Sequence, residues 1–347
     1  MLKFTLRIVA IQFETNDTIT ICFKQPGLKK IKYSAGQYLT LIFRINNRTY
    51  HRPYSFSSAP GIDPTLNVTI KKVPGGIISN YVADFLKIDD VLEVLEPIGD
   101  FTLENKNISD SSSLVFWGAG SGVTPLFSMI KYALKNNIAR HITLVYGNRN
   151  QESTIFHQAI NELQKQYPVN FTVLHFHSKF AENKTSPAII SGRIDVQKVI
   201  ETVKETSEIS DTYHYICGPN GLSDLVRNTL QENGILQDHI FYENFELSIN
   251  PKVFGGIATQ TVLIKKAEQE YCVEVVKGKT ILEAGLDAML DLSYSCQTGT
   301  CLLCKAQLIS GELKSVLTSS DTQLLDKDEY LLCCSLPLTN NIKLLVS

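Results

Sequence analysis

Leu114-Val115-Phe116-Trp117-Gly118-Ala119-Gly120-Ser121-Gly122-Val123-Thr124-Pro125 is the stretch on which the fold turns. Four apolar residues make a run of strand length, and three alternating glycines break it. Helical spacing resumes over Thr124–Lys135. A strand that passes through glycines into a helix opens a parallel α/β unit. The glycines let a dinucleotide pyrophosphate approach backbone N–H groups at the helix N-terminus, where the helix dipole favours negative charge. Gly118, Gly120, Gly122, Thr124 and Pro125 are therefore candidate cofactor-binding residues.

The same alternation continues downstream. The apolar runs Ile142–Tyr146, Phe171–Leu174 and Tyr213–Cys217 alternate with helical stretches Ser153–Gln166 and Pro219–Glu232. This pattern predicts a parallel sheet wrapped by helices over residues 106–247. Such sheets bind ligands beyond the carboxyl ends of their strands. Tyr146-Gly147-Asn148-Arg149 and Cys217-Gly218-Pro219 close two of these strands. Arg149 carries a cation to that edge and no acidic residue precedes it there, which favours NADPH over NADH.

Upstream the texture differs. Residues 1–105 hold short alternating runs such as Tyr38–Phe43 and Leu66–Ile70, with turn residues between them. This predicts a small antiparallel β-barrel. The polar stretch Asn105–Ser113 reads as a connection. Two segments of the barrel stand out: His51-Arg52-Pro53-Tyr54-Ser55-Phe56-Ser57-Ser58, and Lys71-Lys72-Val73-Pro74-Gly75-Gly76-Ile77-Ile78-Ser79-Asn80-Tyr81. In the second, Gly75 and Gly76 expose backbone N–H groups at the start of a helix, and Ser79 adds a hydroxyl; together they suit phosphate.

Beyond the nucleotide unit, Ser248–Ala258 contains Pro251, Gly255 and Gly256 and reads as a linker. Residues 259–347 form the last unit. Five of the eight cysteines crowd into its stretch from Cys296 onward, and Cys296, Cys301 and Cys304 follow a C-x4-C-x2-C spacing with Cys333 far downstream. That is the spacing of four thiolates around a plant-type [2Fe-2S] cluster. Structural zinc draws its ligands from two short pairs, so it fits less well. Gly299 lets the loop wrap closely, and Ser295, Thr298 and Thr300 leave room for N–H groups to reach sulfur.

The chain has 347 residues, 44% of them hydrophobic and 20% charged, with net charge −2. Such balance argues against nucleic acid or an anionic membrane surface as a general partner. No apolar run approaches the ~18 residues of a membrane span. The N-terminal MLKFTLRIVAIQF alternates as a strand does and lacks the core of a signal peptide, so a cytoplasmic location is expected.

These motifs, taken in order, resemble the ferredoxin–NADP⁺ reductase superfamily with a C-terminal plant-type ferredoxin. They look most like the reductase components of phenylacetyl-CoA oxygenase and related hydroxylases. The resemblance spans essentially the whole chain. It implies that Arg-x-Tyr-Ser binds flavin: Arg52 on the pyrophosphate, Tyr54 stacked on the isoalloxazine, and Ser55 at the ring edge. FAD is the implied cofactor, although the residues alone do not separate it from FMN. Cys217 is implied beside the nicotinamide, with Gly218 and Pro219 shaping the pocket. Phe245, in Glu243-Asn244-Phe245, is implied against the flavin, with a core position as the alternative. The last unit resembles a β-grasp. For the fourth cluster ligand, the spacing to Pro337 selects Cys333 and the spacing to Tyr330 selects Cys334; Cys333 is assigned.

Nicotinamide gives two electrons as hydride, a [2Fe-2S] cluster takes one at a time, and flavin does both, so flavin belongs between them. The expected function is electron transfer from NAD(P)H through FAD and the cluster to a partner oxygenase or hydroxylase. Tyr54, Ser55 and Cys217 are the residues nearest the chemistry. The alternatives are a free-standing reductase of a small molecule or ferredoxin-like acceptor, and a non-catalytic redox sensor.

Overall fold

The computed structural model describes residues 2–27, 30–104, 107–179, 189–205, 211–247, 249, 251–317 and 325–346. Parts of the expected connection at 105–113 and linker at 248–258 therefore lie outside the described residues. The chain divides into two compact units, one of Met1–Phe43 with Pro53–Phe245 and one of Arg44–Arg52 with Glu246–Ser347.

The N-terminal stretch, of which all but residues 44–52 falls in the first unit, holds β1 (Lys3–Thr15), β2 (Thr18–Phe23), β3 (Tyr38–Ile45), β4 (Arg48–Ser55), β5 (Leu66–Lys71), α1 (Ile77–Phe85) and β6 (Val91–Leu95). These strands form one sheet in the order β4-β3-β6-β1-β2-β5. β1 pairs antiparallel with β2 and β6, and β2 with β5. An antiparallel bridge between Phe56 and Val68 joins the two edges, closing the sheet as the alternating pattern predicts. β4 is the edge strand at which Pro53, lacking an N–H, is tolerated.

The same unit continues with β7 (Ser113–Ala119), α2 (Val123–Asn136), β8 (His141–Asn148), α3 (His157–Gln166), β9 (Phe171–His177), β10 (Ile189–Ser191), α4 (Val196–Glu205), β11 (Thr212–Cys217), α5 (Leu222–Glu232) and β12 (Ile240–Glu243). Its sheet runs β10-β9-β8-β7-β11-β12, every pair parallel. Alternate residues of each strand serve opposite faces. Leu114, Phe116, Leu144 and Tyr146 enter one core, while Val115, Trp117, Val145 and Ile216 enter another. Burial on both faces explains why these strands read as unbroken apolar runs. Strand order reverses between β7 and β11, so that junction is the switch point at which such sheets bind ligands.

Two helices differ from expectation. α3 begins at His157 rather than Ser153, because Asn150 caps a short 3₁₀ turn there and Phe156 turns left-handed at φ 59°. α4 is an addition to the expected elements, since its core side is built from Val199, Thr202 and Val203, weak helix formers.

The second unit contains β13 (Gln260–Lys266), β14 (Gln269–Val275), α6 (Ile281–Asp287), β15 (Lys305–Ser310), β16 (Leu313–Ser315), β17 (Glu329–Leu331), β18 (Ser335–Pro337) and β19 (Ile342–Val346). The main sheet runs β14-β13-β19-β15-β17, with β13 and β19 parallel at its centre, and β16 pairs with β18. A capping box starts α6: Glu283 N–H donates to Thr280 Oγ1 at 3.3 Å and Thr280 N–H to Glu283 Oε2 at 2.7 Å. The helix stops at Asp287, and Met289 just beyond it takes φ 62°. Ile281, Leu282 and Ala284 pack on Val262, Ile264 and Leu344, a sheet clasping a helix as in a β-grasp.

Residues 44–52 belong to this second unit. They turn at Asn46 and Asn47, both at positive φ, as two-residue hairpins require. The His51 N–H donates to Tyr294 Oη at 3.0 Å, and His51 Nδ1 meets the Tyr294 carbonyl at 2.9 Å. The two rings stack at 4.7 Å. Arg48 donates to the Asp287 carbonyl at 3.3 Å.

Candidate functional site

At the switch point, Ala119 leads into a 3₁₀ turn of Gly120–Gly122 that feeds α2. Gly120 has φ 54°. A β-carbon on Gly122 would lie 2.1 Å from the Cys217 carbonyl oxygen and 2.6 Å from Gly218 Cα. The absence of that β-carbon lets the two turns meet, so the structure joins two motifs lying far apart in sequence. The start of α2 has no side-chain cap and no acidic residue in its first turn, and its Val123 N–H donates back to the Gly120 and Ser121 carbonyls, so the 3₁₀ turn is the true start at which an anion would be met. Thr124 Oγ1 donates to the Ser121 carbonyl at 2.8 Å and holds the turn. Pro125, at an early helical position, needs no N–H partner.

Cys217 is fully buried, and burial pushes its thiol well above the usual range, so it is neutral. Arg149 is exposed just past β8, where its carbonyl accepts from the Lys179 N–H at 2.7 Å. Phe245 is 42% exposed and is therefore not a core phenylalanine.

In the barrel, Ser55 is buried and Tyr54 half-buried at the end of β4. Arg52 donates to the His51 carbonyl at 2.8 Å, and its guanidinium lies 5.7 Å from the Tyr50 ring centroid. Gly75 takes φ 73° in the turn before α1. A β-carbon on Gly76 would lie 2.6 Å from Ser79 Oγ. Ser79 Oγ accepts the Val73 N–H at 3.1 Å, which leaves its hydroxyl hydrogen to donate. No side-chain cap and no first-turn carboxylate occur at α1 either. The Gly76 N–H donates to the Val73 carbonyl at 2.9 Å and is not exposed as the sequence suggested, so the N–H groups that fit a phosphate are those after it, at a carboxylate-free helix start.

In the second unit, the thiols meet in two pairs. The Cys301 thiol bonds to Cys296, lowering the Cys296 pKa to about 4 and holding its own high. The N–H groups of Thr298 and Cys301 each approach Cys296 Sγ at 3.4 Å. The Cys304 thiol bonds to Cys333, which with burial pushes it up. The Leu332 N–H donates to the Cys304 carbonyl at 2.9 Å and ties the strands that bear this pair. Gly299, at φ 89°, leaves a gap: a β-carbon there would lie 2.8 Å from Leu317 Cδ1 and 3.1 Å from Cys334 Sγ. Two thiol pairs, N–H groups aimed at sulfur and a glycine gap fit a two-iron group. Cys334 Sγ lies 3.4 Å from Cys333 Sγ, so the adjacent cysteine shares the neighbourhood.

One neighbour of the site leaves no mark in the sequence. Tyr33 stacks on Phe56 at 4.0 Å and its hydroxyl meets Ser58 Oγ at 2.7 Å, directly after the Arg52–Ser55 motif. Tyr33 lies in a polar stretch without periodicity, so nothing local singles it out.

Comparison with known proteins matches residues 5–103 to an oxidoreductase FAD-binding domain, 116–228 to an oxidoreductase NAD-binding domain and 264–338 to a 2Fe-2S iron-sulfur cluster binding domain. The chain is 30% identical to the ferredoxin reductase component of 3-ketosteroid-9-alpha-monooxygenase from Rhodococcus rhodochrous, over 98% of this chain and 95% of that protein. The chain belongs to the family of oxygenase reductase components. It is also 28% identical to one subunit of the 1,2-phenylacetyl-CoA epoxidase of Escherichia coli (strain K12), covering 97% of this chain and 96% of that one. Phthalate dioxygenase reductase shares the fold, with a TM-score of 0.67 at 21% identity over 99% of this chain and 98% of the other. This reductase is an electron-transfer oxidoreductase whose cofactors are FAD, a [2Fe-2S] cluster and a pyridine nucleotide. Among the described residues, no helix is long and apolar enough to cross a membrane.

Proposed function

We propose that the reductase takes electrons from NADPH in preference to NADH at the Gly118–Pro125 turn and delivers them to an oxygenase through flavin held at Arg52–Ser55 and a cluster held by Cys296, Cys301, Cys304 and Cys333. The approach of Gly122 to Cys217 and Gly218 carries this reading, because it makes one ligand edge from two distant motifs. When bound, nucleotide and flavin supply two-electron chemistry and the cluster one-electron chemistry.

The chain's own residues bind and orient. The N–H groups of the Gly120–Gly122 turn that feeds α2 would take the nucleotide pyrophosphate, and Arg149 a 2′-phosphate. The guanidinium of Arg52 and the N–H groups after Gly75 and Gly76, with Ser79, would take the flavin phosphates. Tyr54 would cover the flavin ring, with Ser55 at its edge and Phe245 against it. Neutral, buried Cys217, with Gly218 and Pro219, would wall the nicotinamide pocket without competing as a charge. The pairs Cys296–Cys301 and Cys304–Cys333 would each serve one iron, and the N–H groups on Cys296 would tune its electron density.

We further infer three cofactor modules, 1–105, 106–247 and 259–347 with a connection at 248–258, in a cytoplasmic protein. The relatives named above serve steroid and acyl-CoA oxygenations, and a glycine betaine monooxygenase reductase subunit of Pseudomonas aeruginosa is 25% identical over 96% of this chain. Electron supply is what these systems have in common. Anaerobic mixing of the full-length protein with NADPH or NADH tests the reading. NADPH should bleach the flavin first and the cluster second, with NADH slower. Equal rates would remove Arg149 from the nucleotide assignment, and cluster bleaching without flavin bleaching would overturn the order.

A further inference from the structure

Helix α2 begins at the Gly118–Pro125 turn, and its next two turns carry polar groups into a buried place. Ser128 Oγ donates to the Ser58 carbonyl at 2.6 Å, with both residues fully buried. One turn on, Lys131 Nζ pairs with Asp63 Oδ2 at 2.5 Å, their side chains only 14% and 24% exposed. Asp63 is itself fixed, since the same oxygen accepts the Ala59 N–H at 2.6 Å. Ser58 is fixed as well: its hydroxyl meets Tyr33 Oη at 2.7 Å and accepts the Asn67 N–H at 3.0 Å. Lys131 also lies 4.7 Å over the Phe127 ring.

Ser58 stands three residues after Ser55, on the loop that leaves the flavin strand. Ser128 stands one helical turn after Thr124. The two bonds therefore tie the element that starts the nucleotide turn to the element that ends the flavin motif. The remainder of that junction is apolar, with Phe127, Met129 and Ile130 sharing a core with Ala35, Phe101 and Leu103. Apolar contact is non-directional and tolerates sliding. Hydrogen bonds have directional limits, and a partly buried ion pair in fixed geometry resists separation. Burial lowers the Lys131 pKa, and Asp63 first and Glu14 second offset that only in part, so the ammonium depends on this one carboxylate.

We propose that Ser128 and Lys131 are positioning residues: with Ser58 and Asp63 they form a latch that sets the approach of nucleotide to flavin. This rests on the assignment of Gly118–Pro125 and Arg52–Ser55 made above. A misplacement of about 1 Å can cost on the order of a hundredfold in rate while binding persists.

The test uses full-length holoprotein and single-turnover flavin reduction by NADPH and NADH at varied nucleotide concentration. Ser128→Ala and Asp63→Asn should each lower the limiting rate about tenfold, with flavin content and apparent nucleotide Kd within about twofold of wild type. Lys131→Met should do the same, and Lys131→Arg should restore most of the rate. Should Ser128→Ala fail to fold, Asp63→Asn decides, because it keeps the acceptor for Ala59. An unchanged limiting rate overturns the latch. So does a fall that follows only the loss of flavin or of folded protein, which would make the contacts structural. If neither nucleotide reduces the wild-type flavin, the site assignment falls as well.

Discussion

Gly122 and Cys217 are so closely apposed that a β-carbon on the first would lie 2.1 Å from the carbonyl oxygen of the second. The obstacle is backbone at the end of a central strand, so it has little room to yield. Gly122→Ala should therefore open the turn, destabilising the protein by about 1–3 kcal/mol and weakening nucleotide binding at least tenfold. Gly218→Ala makes a contrast. Its β-carbon would meet the end of the Leu222 side chain at 2.6 Å, which can rotate away. Thermal unfolding and nucleotide titration of both variants check this; equal losses would refute the backbone argument.

Cys333→Ser should lose the cluster and Cys334→Ser should keep it, because the Cys304 thiol bonds to Cys333. Iron and sulfide content of anaerobically prepared protein, with its visible absorbance, reads the outcome. The opposite pattern would move the fourth ligand to Cys334, whose Sγ is 3.4 Å away.

Arg52→Ala should loosen flavin. A hydrogen bond to a charged group contributes ~1.5–3 kcal/mol, a ten- to hundredfold change in affinity. Flavin remaining after prolonged dialysis is the measurement, and full retention would take Arg52 off the pyrophosphate.

Acid should destabilise the first unit through buried histidines. Trp117 Nε1–H donates to His214 Nδ1 at 3.2 Å, which requires a neutral ring. Burial lowers the pKa of His214 to about 3 and that of His175 to about 4, the latter helped by His157 and His177. In the unfolded chain both titrate near ~6.5. Between these values the unfolded chain holds protons that the folded chain lacks. Stability is therefore flat above about pH 6.5 and falls below it, by ~1.4 kcal/mol per pH unit for each histidine. His214→Gln should flatten the decline in unfolding temperature between about pH 6.5 and about pH 4.5. A wild-type midpoint that is constant over that range would contradict the argument.

What the sequence disclosed depended on how local the signal was. Cys296, Cys301 and Cys304 lie within one loop, and Gly118–Pro125 within one turn, so spacing alone was enough to suggest their chemistry. Barrel and parallel sheet were equally legible, because a period of two with turns and a run of strand–helix pairs are each set by nearest neighbours. The meeting of Gly122 with Gly218 was not legible, since strand order in the sheet decides it. Ser128 and Lys131 gave a fainter hint: they are polar positions in an otherwise apolar helix, FSMIKYAL, and only the fold supplies their partners. Phe245 left two readings open in sequence, and its exposure removed the core one.

The hairpin of residues 44–52 bears on any attempt to transplant the iron–sulfur end of this protein. His51 and Arg48 find their partners in Tyr294 and Asp287, over two hundred positions away in the chain. A graft cut at the apparent linker would leave that hairpin facing a foreign surface without its matching phenol and carbonyl. Chimeras among relatives should therefore carry residues 44–52 together with the C-terminal segment, as one heritable piece in two parts.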